Sequence, residues 1–403
     1  MTPLKWFSGF LKKYRLAIVI GLVLMTVIVA CAIVNPYISG MIVDDVIQGG
    51  AYDLLPKLIG IMLAVTAVRA ILRYATQMMF ETCSQGVLYR MRDAVYRKLL
   101  QEDFAFYNRN RTGDLMSRQT GDMDAIRHFV AFVIYTVYEN ILMFIFALVM
   151  IFMVNVKLAL CMMAVLPFCL FTTYLQSKHV KPRFHECRQS FSSLNAFVQE
   201  NISGNRVVKA FAKEEYEKEK FEKENDKYRE AELGAASIWC RFVPIFELLS
   251  NLLMVVLILY GGYQVICGEM TLGNLVTVNG YLWMLSNPLR FAGWWVNDVQ
   301  RFITSVEKIY DTYSKEPDVK KPKKGIKRKE MQGNIEFRNV SYEVEGEDII
   351  HNISFSVEKG QTVGILGSTG AGKSTIMNLL CRFYDVTEGE VLVDGIDVKL
   401  GFA

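Results

Sequence analysis

The sequence predicts an α-helical membrane domain that crosses the bilayer several times, followed by the N-terminal part of an α/β domain built on a phosphate loop. Three observations predict this. Of the 403 residues 52% are hydrophobic and the mean hydropathy is positive, which is too apolar for a water-soluble chain of this length. Predominantly apolar runs of bilayer-crossing length recur through residues 1–313. Near the C-terminus, Gly367-Ser-Thr-Gly-Ala-Gly-Lys-Ser-Thr375 matches the G-x-x-x-x-G-K-[ST] pattern.

Taken in order, Met1 to Tyr14 predicts a short amphipathic helix, with Leu4, Phe7 and Leu11 on one face beside Trp6, Phe10, Lys12 and Lys13. Such a helix is expected to lie along the cytoplasmic membrane surface. Leu16–Val34 is the first span. Ile28-Val-Ala-Cys31 resembles a lipoprotein cleavage box, but the apolar run continues past it, so a retained span is expected. Five more are expected near 54–80, 129–154, 158–175, 242–266 and 272–296, making six.

Basic residues set the orientation. Segment 81–128 carries Arg90, Arg92, Arg97, Lys98, Arg109, Arg111, Arg118 and Arg127, and segment 177–241 is richer still. Connections 44–53, 155–157 and 267–271 hold a single basic residue, Lys157. A multi-pass protein of the plasma membrane with both termini cytoplasmic follows. Ionisable groups inside spans are costly and face protein or water. Arg69, Arg73, Glu139 and Glu247 qualify, with Asp298 near the end of the last span. They read either as a polar patch in a substrate cavity or as vestibule residues and inter-helix pairs. Trp283, Trp294 and Trp295 read as packing or interfacial residues.

The two basic connections have helical spacing. Phe184, Cys187, Phe191, Leu194, Val198 and Ile202 form one stripe. A break is expected at Asn201-Ile-Ser-Gly-Asn205, followed by a solvated Glu/Lys-rich helix over Lys213–Glu232. The first connection is expected to turn at Asn108–Gly113. Residues 314–333 then form a basic linker broken by Pro317, Pro322 and Gly325. It is a solvated tether by default, with anionic lipid headgroups as a second option. The eight cysteines show no metal or disulfide spacing. The net charge of +4 says little about partners, and no nucleic-acid partner is expected.

The α/β part spans 334–403. Ile335, Phe337 and Val340, then Ile350, Ile353, Phe355 and Val357, alternate as strands do, and Glu390–Gly395 is a strand and turn. Gln361–Leu366 predicts a strand leading into the loop, and Ile376–Phe383 a helix leaving it. In loop 367–375, glycines let successive N–H groups of Gly367, Ser368, Thr369, Gly370, Ala371 and Gly372 turn toward one anion. The helix start adds its dipole. Lys373 is expected to reach β- and γ-phosphates, the Ser374 hydroxyl to ligate Mg²⁺, and Thr375 to add a further hydroxyl. The spans exclude a soluble kinase or GTPase.

Several stretches are similar to one family. Pro36-Tyr-Ile-Ser-Gly40 with Asp44, Phe106–Arg118, Glu200–Phe211 and Asn352–Val357, with the phosphate loop, resemble an ABC exporter half-transporter of the multidrug/lipid type up to about Lys399. The resemblance implies ATP and Mg²⁺ as cofactors, a small amphipathic or lipid-like substrate, contact with membrane lipid, and a second half-transporter in a homo- or heterodimer. It also implies coupling segments that carry nucleotide-driven closure to the spans, at Arg111, Thr112, Gly113 and Asp114, and at Phe211, Ala212, Lys213 and Glu214.

Two departures stand out. The family stacks adenine on an aromatic residue where this sequence has Val344, in Val340-Ser-Tyr342-Glu-Val344, leaving Tyr342 as the substitute. One degenerate site of this kind is a hint of a heterodimer. The signature, the Mg²⁺-binding acid, the general-base glutamate and the switch histidine have no counterpart in the 403 residues, so no catalytic residue is assigned. The chain is expected to be part of a longer exporter subunit, the alternative being a non-catalytic, membrane-bound ATP-binding partner.

Overall fold

The computed structural model describes residues 2–320, 331–344 and 346–400. Most of the expected basic linker, residues 321–330, lies outside the described residues. The helices in chain order are α1 (Pro3–Leu11), α2 (Arg15–Met41), α3 (Leu55–Leu99), α4 (Phe104–Arg109), α5 (Thr112–Ser117), α6 (Met123–His128) and α7 (Ile134–Val154). Then come α8 (Val156–Met163), α9 (Leu166–Ala210), α10 (Glu214–Val256), α11 (Gly262–Ile266), α12 (Leu272–Ser314) and α13 (Lys373–Leu380). The strands are β1 (Ile335–Val344), β2 (Glu347–Val357), β3 (Glu388–Val393) and β4 (Ile396–Asp397). Two compact units result, described separately below.

The first unit comprises Lys13–Gln85 and His128–Arg301. Among the described residues, four helical stretches are long and apolar enough to cross a membrane: Pro3–Gln48, Tyr52–Leu99, Thr112–Val154 and Glu214–Ile266. They contain the expected spans at 16–34, 54–80, 129–154 and 242–266. The expected spans 158–175 and 272–296 are not among these four. The former is interrupted at Ala164–Val165, between α8 and α9, and the latter carries Asn274, Asn279, Ser286 and Asn287. The core of this unit gathers Ile151, Leu158, Met162, Leu253, Leu257, Val278 and Tyr281.

One expectation about the arms is corrected. The break at Asn201–Asn205 does not occur, because α9 runs unbroken to Ala210. Its turn comes at Phe211–Lys213, with Ala212 in the left-handed region at φ 46°. One internal glycine costs a helix only ~1 kcal/mol, and pairing with α10 offsets that. Phe191 packs on Tyr228 at 5.4 Å, and the Cys187 thiol donates to Glu232 at 2.7 Å. That hydrogen bond, more than burial, pushes the Cys187 thiol above its ordinary pKa. The solvated helix expected from Lys213 is the start of α10, laced with pairs such as Lys218–Glu215 and Lys227–Glu224.

Helices α2 and α12 meet along a seam of small residues. Gly280 lies so near Pro36 that a Cβ there would sit 2.6 Å from the proline Cβ, and a Cβ on Gly273 would strike the Gly40 carbonyl oxygen. Polar groups close the same seam. The Tyr281 hydroxyl donates to Ile33 O at 3.0 Å, and the Gly273 N–H donates to Asp44 Oδ1 at 2.6 Å, at the start of α12.

The second unit comprises Met1–Lys12, Gly86–Arg127 and Phe302–Ala403. Here α1 departs from the expected membrane-surface helix. Trp6 and Phe7 are buried, Trp6 against Tyr310 and Tyr313, and Phe7 against Phe302 at 5.0 Å. Aromatic packing on the end of α12 claims this face, while Leu4 stays exposed. The sheet is antiparallel with order β2-β1-β3-β4. Phe337, Val340, Ile350 and Val391 form its core beneath Ile376 and Leu379 of α13. The expected strand at Gln361–Leu366 is corrected: no described strand pairs with it, and Leu366 is 97% exposed. Ladder bonds define a strand, and those of this sheet run only among β1–β4.

The α2–α12 seam generates one prediction. Gly273→Ala and Asp44→Ala each lower the thermal unfolding midpoint in detergent. Gly60→Ala, whose Cβ would meet nothing within 4 Å, does not lower it.

Candidate nucleotide-binding site

The phosphate loop is built by two glycines and one helix start. Gly370 and Gly372 take φ of 89° and 78°, values that cost a side-chain-bearing residue energy and a glycine almost none. Gly372 is the N-cap of α13, so the N–H groups of Lys373, Ser374 and Thr375 have no intrahelical partner and point out of the helix end. Gly372 sits against the backbone of β2, where a Cβ would lie 3.1 Å from Ile349 O. Buried Ile376 and Leu379 tie α13 to the sheet core, so the sheet aims the loop.

The side chains fit an anion with a hard cation beside it. Lys373 Nζ donates to Gly367 O at 2.9 Å and Ser368 O at 2.6 Å, holding its charge over the turn. The Ala371 N–H donates to Ser368 O at 3.2 Å and tightens it further. Residues 367–370, Thr369 among them, are exposed, as is Ser374. The turn thus combines free N–H groups, an ammonium and an open hydroxyl, and this donor set suits a polyphosphate with Mg²⁺ at Ser374.

For the base the two sequence candidates separate. Val344 ends β1 and is 39% exposed. Tyr342 packs on the sheet core and tilts against Tyr384 at 5.5 Å. Burial, more than the neighbouring Tyr384, pushes the Tyr342 phenol above its ordinary pKa. The Tyr384 hydroxyl in turn accepts from Asn108 Nδ2 at 2.8 Å. Tyr342 therefore belongs to an inward-facing cluster, and Val344 presents an aliphatic surface.

That cluster brings together residues that sequence reasoning did not single out. Phe104 stacks on Phe383 with centroids 4.2 Å apart, and Arg109 pairs with Asp318 at 3.5 Å. One carboxylate organises the junction. Asp103 Oδ1 caps α4 by accepting from the Phe106 N–H at 2.8 Å, while Oδ2 accepts from the N–H groups of Asp318 at 2.6 Å and Val319 at 3.1 Å. Arg382 donates to Lys320 O at 3.0 Å. Of the residues proposed from sequence, Arg111 precedes α5, Thr112 and Gly113 open it exposed, and Asp114 sits in its first turn. The described contacts thus begin eight residues upstream of Arg111, at Asp103. The signal was present as an acidic residue before the aromatic run Phe104-Ala-Phe-Tyr107, but the matching Phe383-Tyr384 pair lies far away in sequence. Phe211 is exposed at the α9–α10 turn, followed by Ala212, Lys213 and Glu214 at the start of α10.

Comparison with known proteins accounts for this combination. The family profile for the ABC transporter transmembrane region matches residues 18–289, and that for ABC transporter matches residues 350–400. The chain belongs to the ABC transporter family. Among its relatives, the uncharacterized ABC transporter ATP-binding protein YknU of Bacillus subtilis is 32% identical over 98% of this chain and 68% of its own length. The probable multidrug resistance ABC transporter ATP-binding/permease protein YheI of Bacillus subtilis is 33% identical over 99% of this chain and 68% of its own. The ATP-dependent lipid A-core flippase of Syntrophus aciditrophicus is 28% identical over 88% of this chain and 59% of its own. As an ABC transporter, the chain is a multi-pass membrane protein that joins the transmembrane region to the start of an ATP-binding domain.

The junction generates a prediction independent of activity. Phe104→Ala removes an aromatic pair of roughly 0.5–1.5 kcal/mol beyond its area, and speeds amide hydrogen exchange over residues 381–385 about two- to tenfold. Exchange in β1 and β3 is unchanged.

Proposed function

We propose that this chain is one half of an ATP-driven ABC exporter, which moves an amphipathic or lipid-like compound across the plasma membrane by alternating access. It works as a dimer with a second half-transporter, a copy of itself or a related chain, and both its termini face the cytoplasm. The observation that carries this reading is a glycine turn shaped for polyphosphate, at the N-terminus of α13, on the same polypeptide as the matched transmembrane region. The names of YheI and the lipid A-core flippase support the substrate class.

Each residue has a role. The N–H groups of Gly367 through Gly372 and of the first turn of α13 surround the phosphates, and Lys373 leaves the Gly367 and Ser368 carbonyls to reach the β- and γ-oxygens. Ser374 holds Mg²⁺, and Thr375 adds a hydroxyl contact. Binding and hydrolysis of Mg-ATP supply the free energy for the cycle. The base rests on Val344 with weak stacking, so affinity comes chiefly from the phosphates. Arg111–Asp114 and Phe211–Glu214 are the ends of the arms that carry closure of the ATP-binding domains to the spans. Movement of Asp103, Phe104 and Asn108 with the segment 381–385 is the first step of that path.

The test is transport in inside-out vesicles with a fluorescent cationic dye and a fluorescent phospholipid as probes. ATP-dependent accumulation is expected and is lost when Lys373→Ala is present in both subunits. Accumulation that survives this change rejects the mechanism. The base site generates a second expectation. Val344→Tyr tightens ATP binding about fivefold or more, the lower end of the roughly 1–3 kcal/mol that a stacked base contributes, and leaves inorganic triphosphate unaffected. Competition binding measures both.

A further inference from the structure

Within the first unit, α3 and α7 meet along a seam whose two ends differ in chemistry. At one end Phe80 packs on Tyr135 with ring centroids 5.3 Å apart. At the other, Arg73 Nη2 donates to Glu139 Oε2 at 3.0 Å. Position 73 opposite 139 and 80 opposite 135 make the helices antiparallel, so Thr76 falls between these contacts on α3 and Thr136 between them on α7. Thr76 is 0% exposed. Its hydroxyl, the Thr136 hydroxyl and Asn140 Oδ1 are buried without a hydrogen-bond partner among the described residues. Hydrocarbon offers such groups nothing in exchange, and buried polar groups without partners are rare enough to need a reason.

The ion pair is lopsided. The Glu139 side chain is 7% exposed and the Arg73 side chain 38%. The carboxylate is enclosed and committed to its partner. The guanidinium carries five N–H donors, of which the described bonds use one. A fixed cation with spare donors, inside a helix apolar enough to span a bilayer, favours an anion strongly because little water competes. The neighbouring groups suit the rest of a head group, with the two threonine hydroxyls able to donate and Asn140 Oδ1 able to accept from a hydroxyl.

We propose that Arg73, oriented by Glu139 and flanked by Thr76, Thr136 and Asn140, binds the acidic head group of an amphipathic molecule, a carboxylate or a phosphate. The inference rests on α3 and α7 crossing the membrane and deepens the substrate class proposed above. It requires neither ATP nor transport, so its failure and the failure of the exporter reading are told apart by separate assays.

The test uses the full chain in dodecyl maltoside with three twelve-carbon probes: dodecyl phosphate, dodecanoate and neutral dodecanol. A diazirine-bearing form of each acidic probe is photo-crosslinked and mapped by mass spectrometry. Crosslinks are expected in peptides containing residues 73–80 or 135–140. Arg73→Gln weakens the acidic probes about tenfold or more, and Arg73→Lys retains most of the binding. Glu139→Gln frees the guanidinium and tightens binding. Dodecanol is indifferent to all three variants. Tighter binding of one acidic probe than the other assigns the head group, and either assignment supports the site. A pair that serves folding alone moves Arg73→Gln and Glu139→Gln in the same direction, and that result overturns the proposal. Crosslinks only elsewhere, or an equal loss of dodecanol, overturn it as well. Thermal unfolding midpoints confirm that each variant is folded, and Glu139→Gln preserves the test if Arg73→Gln is not.

Discussion

Hydrocarbon supplies no hydrogen bonds, so every backbone N–H and C=O that enters it must be satisfied within the chain. That constraint keeps a helix unbroken over the ~30 Å of hydrocarbon it crosses, and α3, α9, α10 and α12 run on beyond that length to 43–45 residues, about 65–68 Å at the rise of an α-helix. Pro182, Pro244 and Pro288 all lie inside these helices. In an isolated peptide such a residue breaks a helix, whereas here the long helices continue through it. Some polar side chains of the bundle attach to backbone or to one another, as Tyr281 does to Ile33 and Arg73 to Glu139, whereas Thr76 and Thr136 leave their hydroxyls without a partner among the described residues.

The phosphate loop turns the same rule to use. A helix start carries N–H groups that no carbonyl of the helix can reach, and at Lys373–Thr375 these are left facing a turn held open by Gly370 and Gly372. Donors that are a liability elsewhere are here gathered on one open surface, of the kind an anion fits. The loop needs a rigid backing, which buried Ile376 and Leu379 provide against Ile350 and Val340.

The junction in the second unit shows how one short side chain can organise several backbones. Asp103 serves α4 with one oxygen and the segment after α12 with the other. Aromatic rings at Phe104, Phe383, Tyr384 and Tyr342 fill the space around it. The aromatic face of α1 is spent on Phe302, Tyr310 and Tyr313. Aromatic contacts between segments distant in sequence therefore do much of the positioning in this unit.

The local features were legible in the sequence because their causes are local. Apolar length identified four of the expected spans, heptad-like spacing identified α9, alternation identified β1 and β2, and glycine spacing identified the phosphate loop and its helix. What failed depended on partners. Gln361–Leu366 has the composition of a strand, but strandhood is decided by the neighbour that takes its N–H and C=O groups. Asn201–Asn205 has the composition of a break, but pairing with α10 outweighs one glycine. The face α1 buries, the commitment of Tyr342 to Tyr384 and the clamp at Asp103 were invisible for the same reason. The sequence by itself determined which segments could be helix, strand or phosphate loop, because backbone sterics and apolar periodicity act over a few residues. Only the tertiary structure decided which side chains meet, because hydrogen bonds and ring contacts across hundreds of residues depend on where the whole chain brings them.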